Sequence, residues 1–97
     1  MKIELKKFGT TLISRQSGRE AYSAFLPSLN GVAEEEIIEI DFLGVITFSP
    51  SWGDEFLTKL LDKFRERLLL DKSDNPSVLA TIEILEKANN RKFSFKD

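Results

Sequence analysis

The chain has 97 residues, with 14 lysines and arginines against 16 acids, no histidine and no cysteine. That length suits one domain burying roughly 60–70% of its unfolded surface; 41% hydrophobic and 31% charged residues read as globular rather than disordered. These totals exclude disulfide and thiol chemistry, remove the commonest general base and zinc ligand, and, at a net charge of −2, leave nucleic-acid binding without broad electrostatic support.

Met1 to Lys7 mixes charged and apolar residues and lacks the apolar core of a secretion signal. No apolar run approaches the ~20 residues that span a bilayer. The expectation is a cytoplasmic protein with no membrane contact. Lys2 to Phe8 alternates, with Ile3 and Leu5 on one side and Lys2, Glu4 and Lys6 on the other. This predicts a half-buried strand, ended by Gly9, Thr10 and Thr11.

A helix follows from about Leu12, capped by Ser14 or Ser17; Ser17 and Glu20 have capping-box spacing. Gly18, Ala21 and Phe25 share its inner face, with Tyr22 and Leu26 beside them. Pro27 should end it at or before Leu26. After a turn, Glu34 to Leu43 reads as a strand: Ile38, Ile40 and Phe42 alternate with Ile37, Glu39 and Asp41. Both faces are partly apolar, which suits a place inside a sheet.

Asp54 to Leu68 carries the strongest helical pattern, with Trp52, Phe56, Leu57, Leu60, Leu61 and Phe64 at spacings of three and four. Leu68 to Leu70 is either its last turn or a third, buried strand; the strand is preferred. Asn75 and Pro76 then cap and open a final helix with an inner stripe of Val78, Leu79, Ile82, Leu85 and Ala88. Asn89 and Asn90 end it in a left-handed turn. Arg91 to Asp97 is a polar tail that adds an edge strand or frays. The expected organisation is one α/β domain over residues 1–90, in β-α-β-α-β-α order, with a small sheet of parallel pairs packed against helices.

Three stretches carry a family resemblance: "FGTTLISRQSGRE", "IDFLGVITFSPSWGDEFLTKLL" and "DNPSVLATIEILEKA". The chain resembles STAS domains, the fold of anti-sigma factor antagonists, and most closely the STAS-like domains of small bacterial and phage proteins. In kinase-binding antagonists a strand ends in an Asp-Ser-Ser-Gly-like turn. Its second serine caps the next helix and is phosphorylated by an ATPase of the histidine-kinase-like fold. By this resemblance Ser51 takes the place of the phosphorylated serine, Ser49 that of the aspartate, Pro50 that of the first serine and Trp52 that of the glycine. The resemblance implies a signalling module whose partner is a protein of that ATPase class.

Read on its own chemistry, Ser51 is a helix cap accepting from Asp54 N–H, with Ser49 before Pro50 as the competing cap. Trp52 is either packed under the helix start, in phase with Phe56, or an exposed anchor for a partner. Asp54 and Glu55 complement the helix dipole and would frame a contact. Arg15 and Arg19 oppose the dipole of the first helix. They either receive an acidic partner or pair with nearby acids such as Glu20. A magnesium site from Asp41, Asp54 and Glu55 has no supporting spacing, and Ser51 has no histidine base. The expectation is a protein that is not an enzyme and needs no cofactor. The alternative is a small enzyme or nucleotide-binding accessory subunit using the same loop.

Overall fold

The computed structural model describes residues 1–97. The main sheet is β1 (Lys2–Glu4), β3 (Ile38–Asp41), β5 (Leu68–Leu70) and β6 (Ser94–Phe95), in that spatial order and all parallel. A parallel ribbon of β2 (Thr11–Leu12) and β4 (Thr47–Phe48) stands apart from it. Helices α1 (Arg15–Leu29), α2 (Pro50–Gly53), α3 (Lys59–Phe64) and α4 (Pro76–Asn89) make the connections. Between α2 and α3 the chain stays helical through a π-turn, Asp54–Thr58. The result is a small α/β fold whose parallel sheet packs against helices.

Alternation sets the inner face. Ile3, Ile38, Ile40 and Leu70 are all fully buried, and Leu68 nearly so. The other face is polar except at Leu69. Register aligns Lys2, Glu39, Leu69 and Ser94 in one row across the four strands. Parallel sheets are ordinarily covered on both faces. Here the uncovered face is laced by Lys2–Asp41 (3.7 Å) and Lys96–Glu39 (3.1 Å) ion pairs. Glu39 and burial together push the Asp71 carboxyl above its ordinary range, burial being the larger cause. The strand expected over Glu34–Leu43 is shortened to Ile38–Asp41 but lies inside the sheet, between β1 and β5, as expected; Ile37 precedes it, 44% exposed, and Glu39 and Asp41 are half-buried on its second face.

Other expectations change at element ends. The strand drawn to Phe8 stops at Glu4, and Leu5–Phe8 forms a 3-10 turn that swings Leu5 into the core and Phe8 against Phe25 and Phe56. Pro27 does not end α1. It lies exposed in the last turn, and Ser23, whose carbonyl it leaves without a helical donor, is exposed as well. Ser14 is the cap of α1, accepting from Ser17 N–H (3.0 Å), so the Ser17–Glu20 box is not used. Leu68–Leu70 is the strand preferred from sequence. In α4 the inner stripe uses Thr81 in place of Leu79 and Ala88, which are exposed. Asn90 takes the expected left-handed conformation, φ 52° and ψ 43°. Of the two outcomes open to residues 91–97, the edge strand forms, with Phe93 buried beneath it.

Candidate functional site

The site is built where β2, β4 and three helix starts meet. Ser49, just after β4, is the residue that caps α2. Its hydroxyl accepts from Trp52 N–H (3.2 Å) and donates to the Ile13 carbonyl beside β2. Pro50 follows at the first helical position, where its missing N–H costs nothing. The cap expected at Ser51 is thus corrected to Ser49, because an extended residue before proline presents its side chain to the free N–H groups. Ser51 sits one residue into the helix, partly exposed, and takes part in no side-chain hydrogen bond.

The start of α4 braces the same junction. Asn75 caps α4 through Ser77 N–H (2.8 Å) and Val78 N–H (3.4 Å). Its amide also donates to the carbonyls of Val45 (2.9 Å) and Ile46 (3.0 Å). The Ser77 hydroxyl accepts from Phe48 N–H (3.1 Å), and Thr81 donates to the Phe48 carbonyl (2.6 Å). The edge of β4 facing α4 is therefore satisfied by side chains rather than by another strand.

Two glycines allow the close packing. A Cβ on Gly18 would stand 2.7 Å from the Trp52 carbonyl oxygen, and one on Gly53 would stand 2.9 Å from Leu85 Cδ1. α2 is thus pinched between α1 and α4. Trp52 is fully buried there, stacked on Phe56 at 5.0 Å between ring centroids, with Phe48 at 5.8 Å and Phe8 at 6.1 Å. Its indole N–H finds no partner. That loss, ~1–3 kcal/mol, is smaller than the ~5 kcal/mol expected from burying a side chain of about 200 Å². Trp52 is a core residue, and its reading as an exposed partner anchor is corrected.

The charged candidates come together. Arg15 reaches Asp54 (3.0 Å) and Glu55 (2.7 Å), Arg19 reaches Glu55 (3.6 Å), and Lys59 reaches Glu55 one turn later (2.8 Å). The hydrogen bonds from Lys59 and Arg15 hold the Glu55 carboxyl well below its usual range, at about 2. Pairing with Asp54 and Glu55 raises the Arg15 guanidinium. Arg15 and Arg19 thus answer acids of the neighbouring helical segment; Glu20 is taken by Gln16 instead (3.1 Å). Two acids thus face three cations at the start of the segment that carries Ser51. Lys59 completes this cluster. Its signal was the Glu55-to-Lys59 spacing of four, which favours an ion pair on a helix.

Asp41 takes no part. It lies at the end of β3, paired to Lys2 and accepting from Leu43 N–H (2.9 Å). No group of three or more acidic side chains is arranged to hold a metal ion. Around the junction stand exposed apolar side chains that the sequence reading did not single out: Ile13 (49% exposed), Ile46 (67%) and Leu43 (73%). Ile13 and Ile46 are attached to the site through their main chains, Ile13 C=O to Ser49 and Ile46 N–H to the Thr10 carbonyl (2.7 Å).

A family model described as a STAS-like domain of unknown function (DUF4325) matches residues 20–79. The chain belongs to that family. The match covers the second half of α1, β3, the whole Ser49–Thr58 junction and the start of α4. No curated protein and no solved structure matches the chain. No helix is long and apolar enough to cross a membrane.

Proposed function

We propose that this protein is a non-catalytic regulatory module that binds another protein through the start of α2, with Ser51 as the phosphoacceptor of a switch. One observation carries the reading: Ser49, not Ser51, caps the helix. The Ser51 hydroxyl is left without structural employment; Trp52 N–H is taken by the Ser49 hydroxyl and Gly53 N–H by the Ser49 carbonyl, so the free helical donor beside it is its own N–H. A phosphate there would add about −1.5 to −2 charge at neutral pH. The helix dipole and the Arg15–Arg19–Lys59 cluster favour it, and Asp54 and Glu55 offset that gain. The folded state then changes little, while a partner packed on Ile13 and Ile46 meets a double charge it must desolvate. The partner class is a kinase-like ATPase, as in the antagonists this family resembles, and the setting is the bacterial cytoplasm.

The test compares wild type, Ser51→Asp and Ser51→Ala as baits in the source cell, with bound proteins identified by mass spectrometry and Ser51 examined for a phosphoryl group. Recovery of a kinase-like ATPase by wild type and Ser51→Ala but not by Ser51→Asp is the expected result. Equal recovery by all three would remove the switch. No ATPase with any bait would overturn the partner.

A further inference from the structure

β1 is the outermost strand on the side of the main sheet opposite β6. Glu39 N–H donates to the Met1 carbonyl (2.9 Å), which fixes the phase of the β1–β3 ladder. Ile3 therefore directs its N–H and C=O to β3, and its side chain is fully buried. Lys2 and Glu4, on either side of it, turn their main-chain groups away from the sheet. The Glu4 carbonyl bends into the 3-10 turn that begins at Leu5, so the outward groups are the N–H and C=O of Lys2 and the N–H of Glu4. At β4 the free edge is closed by the Ser77 and Thr81 hydroxyls, and no side chain does the same for β1.

The side chains of Lys2 and Glu4 stand on the polar face of the sheet. Register sets Lys2 opposite Glu39 and Glu4 opposite Asp41. Glu4 thus faces a like charge, which is unfavourable between strands, and it makes no ion pair within the chain. The Lys2 ammonium lies 3.7 Å from Asp41, on a side chain that is 54% exposed. A short edge strand carrying lysine ordinarily keeps a sheet from growing. Here the order lysine–isoleucine–glutamate is self-complementary. Turned about a two-fold axis at Ile3, Lys2 of one copy falls opposite Glu4 of the other, and Glu4 opposite Lys2. The residues brought together are the ones with outward main-chain groups, so Glu4 N–H of each copy meets the Lys2 C=O of the other.

We propose that β1 pairs antiparallel with β1 of a second copy of this chain, joining two four-stranded sheets into one. Charge complementarity selects the occupant. A strand of uniform sign is repelled at Lys2 or at Glu4, whereas a second copy answers both. Glu4, which faces Asp41 within its own chain, gains a lysine on its other side. The edge is short against the ~800 Å² per partner of a stable interface, so the dimer is weak and depends on concentration. Antiparallel pairing sends the carboxyl ends of the two sheets, and the loops that lead from β3 toward Ser51, in opposite directions. The surface is separate from the Ser51 junction, so the two readings are tested apart.

The experiment is sedimentation equilibrium of the full chain from about 10 μM to about 1 mM, a range that brackets weak association, with amide NMR spectra over the same concentrations. The expected result is a reversible dimer, with shifts at Lys2, Ile3 and Glu4. Glu4→Lys and Lys2→Glu should each dimerise about tenfold more weakly, because two attractive cross-strand pairs become repulsive. An equimolar mixture of the two variants should associate about as strongly as wild type, because each charge then meets its opposite. Glu4→Lys breaks no ion pair within the chain and should keep the urea midpoint of wild type, so its weaker association is not a loss of fold. Ser51→Asp should leave the dimer unchanged. A monomer at every concentration, a dimer indifferent to both reversals, a mixture that associates no better than either variant alone, or shifts centred on Ser94 and Phe95 would each overturn the proposal.

Discussion

Replacing Ser49 by alanine removes a helix cap and a bond to the Ile13 carbonyl in one step. We expect Ser49→Ala to lose about 1–2 kcal/mol in urea unfolding, and Ser51→Ala to stay within about 0.5 kcal/mol of wild type. The opposite order would return the cap to Ser51. Sequence names both serines, but the bond from Ser49 to the Ile13 carbonyl, 36 residues away, forms only in the folded chain. Glu55 belongs to the same scale. Its folded pKa of about 2 lies below the ordinary 4.5, so its ion pairs add stability above that ordinary value and lose it as pH falls through about 2. Glu55→Gln should be less stable than wild type at pH 7, with the gap narrowing from pH 4.5 downward and closing near pH 2. A gap that is flat with pH would show that the cluster does not stabilise the fold. The partners of Arg15 lie 39 and 40 residues away, which no local pattern reports.

At the scale of elements, α1 and α4 both start on a side-chain cap, yet their caps differ in worth. Ser14 serves only Ser17 N–H. Asn75 caps α4 and also holds the Val45 and Ile46 carbonyls that lead into β4. Ser14→Ala should cost ~1 kcal/mol and Asn75→Ala about 2 kcal/mol, as the partly buried Val45 carbonyl loses its donor along with the cap, while the exposed Ile46 carbonyl keeps Ser77. Equal costs in urea unfolding would mean that α4 does not brace the junction. The caps at Asn75 and Pro76 were legible because they are local. The π-turn at Asp54–Thr58 was not. Phe56, Leu57 and Thr58 are buried in succession, across about 200° of helix, which requires packing from more than one side. Gly18 and Gly53 were visible as residues, but the approaches that require them exist only between elements.

For the whole molecule, the least expected contribution comes from the last residues. Phe93 is 6% exposed and β6 extends the sheet, so a segment read as a polar tail closes the core. Phe93→Ala should cost about 3 kcal/mol, a large share of the ~5–15 kcal/mol that holds a domain of this kind together. An unchanged urea midpoint would make β6 an ornament of the sheet edge. The sheet also shows the limit of periodicity. The alternation of Ile38, Ile40 and Phe42 determined an inner face and a strand inside the sheet, since a period of two puts one face in the core whatever lies beyond. The helical stripes, the caps at proline and the family resemblance were likewise properties of contiguous sequence, and they determined the α/β class. The tertiary structure alone decided which serine caps α2, that Trp52 is core, that Arg15 and Arg19 answer Asp54 and Glu55, and that residues 94–95 join the sheet. Each of these rests on a contact between segments distant in the chain, which for Ser49 is the bond to the Ile13 carbonyl 36 residues away rather than the local cap itself, and its energy exists only once the backbone has brought them together.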